Sequence, residues 1–355
     1  MINDKKLEQT SGSDSTNIQV AGNLTVGLSY SDAKDIALDI YKQNFLELSE
    51  KATEKALDKV EHFVNDFLTK LFEKKDENLI KELETPSFQM TLLEAQKEAI
   101  KADDKSIEEI LSNILLERTK EKERNLRRIA FDEAISVISK LTQQQMDILS
   151  LNYILKDLEW IMNWHEGRFN IVTHIFQNIV PKFEVKVGFK SPDISHLLFS
   201  GCINKPDYSE FKGDFFSSEE GVFQKGFDKE TFENEIGSSI FNSLLMNSEH
   251  YDGKFQLDYI YSTELTKKMS ELTEDLELRK KLINFSKKNK FLPQDKIKLF
   301  KEKYPESSFL FNDTWSRDIY KYELSPVGVA IAISNLMNKW DFPYTLPFPY
   351  HMRNM

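Results

Sequence analysis

The first regular pattern along the chain is an alternation of polar and apolar residues between positions 17 and 27. Residues 17–20, Asn-Ile-Gln-Val, return as residues 23–26, Asn-Leu-Thr-Val, with Ala21-Gly22 between the two copies. Alternate residues of an extended chain share a face, and the apolar face here consists of Ile18, Val20, Leu24 and Val26. Two four-residue strands are too short to be stable alone in water. The pattern therefore predicts a β-segment that needs a partner.

The most economical partner is the same segment of another copy of the chain. Stacked copies, or copies closed into a small barrel, would satisfy the free strand edges. Amide side chains favour stacking because they form ladders between identical strands. The candidate assembly residues are Asn17, Ile18, Gln19, Val20, Asn23, Leu24 and Val26. The alternative is a hairpin docked on the helices of its own protomer.

The stretch from Ser31 to Lys75 contains no Gly or Pro, and its apolar residues recur mostly every three or four positions. This spacing predicts an amphipathic helix with Ser31 as its N-cap. Unbroken, the helix would be about 65 Å long, and a break near 49–53 is the alternative. It is interpreted either as an oligomerisation stalk or as an ordinary core helix. Its phenylalanines suit a bundle better than a two-stranded coiled coil.

Further helices are predicted from apolar spacing and capping residues. Their ranges are 90–102, 105–124, 125–140, 141–158, 228–247, 262–288 and 293–303. Asp104 or Ser106 is the predicted N-cap of the second, and Thr142 that of the fourth. A linker around Pro86 is expected at 76–90, a strand at 183–189, and a last helix with Ser325 as N-cap and Pro326 at its first position. The aromatic and proline-rich residues 340–355 are interpreted as a strap over the core or, alternatively, as a segment that docks on another protein.

The predicted fold class is mainly α: a multi-helix bundle with a short N-terminal β-segment and a small irregular α+β insertion. Four regions follow from the changes in composition. Residues 1–30 form the polar leader and β-segment, 31–180 a helical domain, 181–236 the irregular region, and 237–355 a C-terminal helical region with the aromatic tail.

The net charge and the number of cysteines limit which binding partners and which cellular compartment we expect. The net charge of −11 disfavours non-specific binding to nucleic acid or anionic membranes. The single cysteine, Cys202, excludes an intramolecular disulfide and fits a reducing cytoplasm. The sequence has neither a signal-peptide core nor an apolar run long enough to span a bilayer. We therefore expect a cytoplasmic protein.

Basic residues are concentrated between positions 118 and 128, where glutamates are interleaved with them. Spacings of three and four predict ion pairs along a solvated helix face. Arg124, Arg127 and Arg128 are the best candidates for an anionic contact, and a nucleic-acid sensor is an alternative function. The helix at 141–158 could imitate a DNA-recognition helix, but it carries Gln143, Gln144, Gln145 and Asp147 in place of cations. It is interpreted as part of a core helical hairpin.

Candidate chemistry is sparse. No phosphate-binding loop, dinucleotide fingerprint, nucleophile elbow or zinc motif occurs, so no cofactor or metal site is predicted. The cluster Trp164-His165-Glu166 is too loose to indicate a metal site. Asp193, His196 and Cys202 lie in one segment, which leaves a Cys-His pair conceivable. The alternative enzyme is a hydrolase or nuclease-like effector with a site in 181–236. Its candidate residues are Asp193, His196, Asp207 and Glu210.

The order of the motifs resembles that of a largely uncharacterised bacterial family often found in mobile or anti-phage defence regions. The resemblance involves residues 17–26, the segment Ser29-Tyr-Ser-Asp-Ala-Lys-Asp-Ile-Ala-Leu-Asp-Ile-Tyr41, residues 141–149 and residues 324–332. The segment Ile18-Gln19-Val20-Ala21-Gly22 is also similar to the core of amyloid signalling motifs, with Ala21 inserted. These resemblances imply a self-assembling scaffold, sensor or regulatory protein of anti-phage defence. Its expected partners are itself and a phage or defence protein.

Overall fold

The computed structural model describes residues 28–43, 50–102, 104–156, 173–183, 191–205, 221, 223–237, 239–259, 262–311, 321–340, 346, 348 and 352. The predicted fold class is confirmed, because these residues form a mainly α bundle. The helices of its first half are α1 (Tyr30–Gln43), α2 (Glu50–Glu73), α3 (Glu77–Lys81), α4 (Pro86–Ala102), α5 (Lys105–Thr119), α6 (Leu126–Ile138) and α7 (Gln143–Lys156). A short 3₁₀ turn, Glu82–Glu84, joins α3 to the loop before α4.

The second half of the chain has shorter elements. Its α-helices are α8 (Ser191–Phe199), α9 (Lys229–Ile236), α10 (Ser262–Leu272), α11 (Leu276–Lys288), α12 (Pro293–Lys303) and α13 (Pro326–Lys339). A π-helical turn covers Ile175–Ile179, and 3₁₀ turns cover Val180–Lys182, Ser239–Leu244 and Pro305–Phe311. The strands are β1 (Ile203–Asn204), β2 (Leu245–Asn247), β3 (Phe255–Leu257) and β4 (Glu323–Leu324). They form two antiparallel pairs, β1 with β4 and β2 with β3.

Helices α1 and α2 form an antiparallel hairpin, so of the two alternatives for 31–75 the break agrees with the structure and one unbroken helix does not. Lys34 Nζ lies 2.8 Å from Glu61 Oε1, and the ring of Tyr30 meets that of Phe72 at 5.5 Å. As the residue number rises along α1, its contacts move backward along α2. Helix α2 begins at Glu50, inside the predicted break. The apolar stripe of α2 is buried within the protomer, as expected of a core helix.

The last helix, α13, lies at the centre of the bundle and packs against α5, α6 and α7. All residues from Val327 to Leu336 are buried, which is typical of a helix surrounded by others. Its predicted start is confirmed: the hydroxyl of Ser325 accepts a hydrogen bond from the Gly328 N–H at 3.0 Å, and Pro326 follows the cap. Gly328 is needed here, because a Cβ at this position would lie 1.9 Å from the Cys202 carbonyl oxygen.

A second apolar cluster lies between residues 227 and 285, where the Phe285 ring meets those of Phe227 and Phe232 edge-on and the latter two are stacked. The prediction of one helix over 228–247 is wrong. Helix α9 ends at Ile236 because Gly237 adopts a left-handed conformation with φ of 70°, and strand β2 follows the next turn. The predicted helix over 262–288 is two helices. Asp275 caps the second by accepting from the Glu277 and Leu278 N–H groups.

Several boundaries in the first half also differ from the prediction. The expected linker at 76–90 contains α3, the 3₁₀ turn and the start of α4. Pro86 begins α4 because its missing N–H needs no partner at a helix start. The predicted caps Asp104 and Thr142 are confirmed by hydrogen bonds from the Ser106 and Gln145 N–H groups. The predicted strand at 183–189 falls almost entirely outside the described residues.

The described tail residues pack on the bundle. Trp340, Leu346 and Phe348 are buried, and the Phe348 ring lies 5.7 Å from that of Phe131. These three residues therefore behave as the strap interpretation predicts. The predicted region boundaries at 180 and 236 do not coincide with the limits of the two apolar clusters, since the larger cluster extends from Ala33 to Phe348.

Candidate functional site

The candidate assembly residues Asn17, Ile18, Gln19, Val20, Asn23, Leu24 and Val26 lie outside the described residues. The structure does describe the point where their segment joins the helices. There, Ser29 caps α1, so the predicted N-cap, Ser31, is wrong. The Ser29 hydroxyl accepts from the Asp32 N–H at 3.2 Å, and Asp32 Oδ2 accepts from the Ser29 N–H at 3.2 Å. These reciprocal bonds form a capping box.

The same contact changes the electrostatics of the junction. The Ser29 hydroxyl also donates to Asp32 Oδ2 at 2.6 Å. The side-chain and backbone hydrogen bonds from Ser29 lower the pKa of Asp32. The carboxylate therefore stays ionised at the start of α1, where the helix dipole favours a negative charge. This arrangement holds the first described residues against the helix.

An open cavity of about 400 Å³ lies at this junction, between the start of α1 and the end of α2. Leu28, Phe72 and Ile80 supply its apolar lining, and all three are half-buried beside the main core. Its charged lining residues, Lys75, Glu77 and Lys81, are exposed. The chain preceding Leu28 therefore enters the described body beside a partly apolar cavity with a polar edge.

The basic residues at 118–128 are mostly committed to internal contacts. Arg127 forms ion pairs with Glu117 at 3.1 Å and Glu121 at 2.8 Å. Its guanidinium also lies 5.6 Å from the centre of the Phe131 ring and 5.2 Å from that of Phe348. Of the pairs predicted at spacings of three and four, Lys120 with Glu117 is present, whereas the two pairs of Arg127 cross the turn between α5 and α6. The helical span is shorter than predicted, because α5 ends at Thr119 and α6 begins at Leu126.

The other two candidate anion contacts differ in their surroundings. Arg124 is exposed in the loop between α5 and α6. Arg128 is largely buried and donates to the Lys122 carbonyl at 3.0 Å and to the Ser87 hydroxyl at 2.6 Å. The three arginines therefore do not form one open basic surface, as a nucleic-acid backbone would require.

The structure brings Asp193 and His196 together through a glutamine. Gln145 Nε2 donates to Asp193 Oδ1 at 3.2 Å, and Gln145 Oε1 lies 3.1 Å from His196 Nδ1. Gln145 is itself buried on α7, so the bridge ties α8 to the bundle. The other two residues of the alternative enzyme, Asp207 and Glu210, lie outside the described residues, as does the cluster at 164–166.

Cys202 has the surroundings of a structural thiol. It is fully buried, and its sulfur lies 3.5 Å from the Ser200 hydroxyl. Burial raises the pKa of the Cys202 thiol, while the Ser200 hydrogen bond opposes that shift. Because the thiolate is the nucleophilic form, this environment disfavours nucleophilic chemistry at Cys202.

A buried polar seam that was not predicted from the sequence lies between α7 and α13. Asp147 Oδ1 accepts from Gln143 Nε2 at 2.7 Å and from Asn335 Nδ2 at 3.0 Å. The Asn335 amide also donates to the Ser150 hydroxyl, and Lys339 Nζ lies 3.5 Å from Asp147. The available signal was the polar spacing 143, 147 and 150 along the helix. That spacing marks one helix face, and α13 covers it.

The described ranges contain neither a candidate metal site nor a helix that could cross a membrane. Within them, no group of three or more His, Cys, Asp or Glu side chains could hold a metal ion. None of the helices in the same ranges is both long and apolar enough to cross a membrane.

Comparison with models of protein families gives a match. A protein-family model, whose description reads only ":-like", matches residues 27–346. No curated protein and no solved structure matches the chain. The match begins at Gly27, so the candidate assembly residues precede it.

Proposed function

The match covers more than half of the 355 residues, so the chain belongs to the family that this model describes, and we propose that it acts by self-assembly. The proposed role is that of a scaffold, sensor or regulatory protein of bacterial anti-phage defence. The family description names no activity, so the assembly part is argued from the residues. The defence part rests on the resemblance of the motifs.

The observation that carries the proposal is the alternating segment 17–27. Its apolar face consists of Ile18, Val20, Leu24 and Val26. Two strands of four residues are too short to form a stable sheet on their own. Leu28, which follows the segment in the sequence, lines a cavity together with Phe72 and Ile80. Pairing between copies would satisfy the strand edges and remove the apolar face from water.

The arrangement of the helices supports an interface in the segment over one in a helical stalk. Helix α2 buries Val60, Phe63 and Phe67 completely within its own protomer. A stalk would need an apolar stripe left over for a second chain. In the described residues of α1 and α2, that stripe is already covered by α4 and α5. The proposed interface is therefore the segment that precedes α1.

The side chains on which an enzyme or a nucleic-acid sensor would depend already form contacts within the protein. His196 is bridged to Asp193 by Gln145, and Arg127 is paired with two glutamates. With these side chains already engaged, an enzyme or a nucleic-acid sensor has less support than self-assembly through residues 17–27. The proposed partners are a second copy of the chain and a phage or defence protein. The single reduced cysteine supports a cytoplasmic location.

The assembly proposal is tested by charging the apolar face of the segment. Val20→Asp together with Val26→Asp should shift the purified protein toward monomer, because each buried strand face would carry unpaired charge. Mass from size exclusion with light scattering measures the shift. The matched control is Ser13→Asp with Ser15→Asp, which adds the same charge just before the segment and should keep the particle mass. An unchanged mass in the valine variant would refute assembly through this face.

A further inference from the structure

The hydroxyl of Ser87 lies between two guanidinium groups. Ser87 is exposed and is the second residue of α4. Its oxygen accepts from Arg128 Nη2 at 2.6 Å and from Arg118 Nη2 at 3.2 Å. Two charged donors on one exposed serine hydroxyl are more than a neutral oxygen needs. Guanidinium groups that converge in this way are a usual arrangement for binding phosphate oxygens.

The two arginines are held in place by other residues of the bundle. Arg118 is completely buried, with Nη1 2.6 Å from Glu82 Oε1 and Nε 3.1 Å from Asp132 Oδ1. Its guanidinium also lies 5.4 Å from the centre of the Phe88 ring. Arg128 is anchored through the carbonyl of Lys122. The donors are therefore positioned before any charge arrives at Ser87.

We propose that Ser87 is a phosphorylation site whose phosphate is held by Arg118 and Arg128. In the reaction, a protein kinase supplies a nucleoside triphosphate. The Ser87 oxygen forms a bond to the γ-phosphorus, the bond from that phosphorus to the diphosphate breaks, and the hydroxyl proton passes to a base of the kinase. The nucleoside diphosphate leaves. The product carries about −1.5 to −2 charges near neutral pH, and the first turn of a helix favours such charge.

The phosphate would change the charge balance of the cluster. Without it, Arg118 and Arg128 are balanced by Glu82 and Asp132, and Glu82 lies 2.6 Å and 3.9 Å from the two guanidinium groups. A phosphate on Ser87 competes with Glu82 for these donors and repels it. Glu82 belongs to the 3₁₀ turn 82–84, so phosphorylation should loosen this turn.

The turn 82–84 directly follows residues that line the cavity beside Leu28. Helix α3 ends at Lys81, next to Glu82, and the cavity is lined by Glu77, Ile80 and Lys81. Phosphorylation of Ser87 thus reaches the proposed assembly region through one short element. This last step rests on the proposed function, whereas the phosphate site itself does not.

The test uses the full-length protein with phosphoserine incorporated at position 87. Phosphoserine at Ser270 is the control for a serine beside one arginine: Ser270 is exposed on α10, its hydroxyl donates to the Lys267 carbonyl, and Arg279 donates to its backbone carbonyl at 3.4 Å, not to its hydroxyl. The second pKa of the phosphate, ordinarily about 6, should be lower at 87 than at 270 in a ³¹P NMR titration. Arg128→Ala should remove most of that difference, and Arg128→Lys should restore part of it. Equal titration at the two positions would overturn the site.

Two further measurements complete the test. Hydrogen exchange of amides 82–85 should become roughly tenfold faster with phosphoserine at 87, as expected when a charge-assisted hydrogen bond is lost. Unchanged exchange would overturn the displacement of Glu82. Protein isolated from the cells that make it should yield a phosphopeptide containing Ser87. If this peptide is found only in its unmodified form, Ser87 is not phosphorylated in those cells. None of these results depends on particle mass, so failure of the assembly proposal is recognised separately.

Discussion

Burial determines what individual titratable side chains can do in this protein. Cys202 is buried, and its thiol pKa is raised, which suits packing better than reactivity. Burial also raises the pKa of Tyr304 to about 12, with a hydrogen bond to Thr173 acting in the opposite direction. The Tyr304 hydroxyl lies 2.8 Å from Thr173 Oγ1, and its ring packs between those of Phe176 and Phe300. The fold therefore favours the neutral phenol.

This shift predicts a defined loss of stability at alkaline pH. The pKa of Tyr304 is raised above its ordinary value of 10.0, so its contribution is fully present below pH 10 and lost as pH rises toward 12. Tyr304→Phe keeps the ring and should flatten the fall in unfolding free energy between pH 9 and 11.5. Urea unfolding at several pH values measures it. Tyr251→Phe, at an exposed position, is the control and should behave as the parent. Parallel curves for the parent and Tyr304→Phe would contradict the assignment.

At the scale of elements, helices α7 and α13 are joined by polar contacts inside an apolar interface. Asp147 and Asn335 are buried, and each lies in the middle of its helix. Buried polar groups cost free energy unless their hydrogen bonds are satisfied. The pair therefore favours one register of α13 on α7, because a shift by one residue would leave both groups without these partners.

Removing one side of this pair should destabilise the bundle measurably. Asn335→Ala deprives Asp147 and Ser150 of a donor, and we expect a loss of about 1–3 kcal/mol in unfolding free energy. Chemical denaturation followed by circular dichroism measures it. Gln144→Ala on the neighbouring, half-exposed position of α7 serves as control and should change stability by less than about 0.5 kcal/mol. A loss no larger than the control's would show that the seam is energetically neutral.

The whole molecule joins its first and last regions through one core. Helix α13 packs on α5, α6 and α7, although about 200 residues separate them in the sequence. The larger apolar cluster includes both Ala33 and Phe348. By contrast, residues 1–27 precede the first described contact, and the family match starts at Gly27.

These positions predict opposite effects for two truncations. Removal of residues 1–27 should leave the helix content and the unfolding temperature nearly unchanged, because the α1 capping box and the core remain. Removal of residues 321–355 should prevent cooperative unfolding, because it exposes the apolar surfaces that α13 covers. Circular dichroism during heating compares the two. A stable, cooperative 1–320 fragment would contradict a shared core.

Local signals predicted the elements whose ends are set by nearby residues. Ser325 with Pro326, Asp104 and Thr142 predicted helix starts correctly, because a cap is a contact within three residues. The ion pairs of Arg127 with Glu117 and Glu121 were not predictable from helix spacing, because they cross the turn between α5 and α6. Apolar spacing alone failed at Gly237 and at the 273–275 break, since it carries no information on where a chain reverses.

The sequence by itself determined that this chain is a helical protein with an alternating segment before its first helix, because periodicity and capping are local properties. Only the tertiary structure decided which polar residues come together. Ser87 meets Arg118 and Arg128, and Asp147 meets Asn335, through contacts between elements far apart in the chain. Such contacts depend on how helices pack, and single-sequence spacing does not encode that packing.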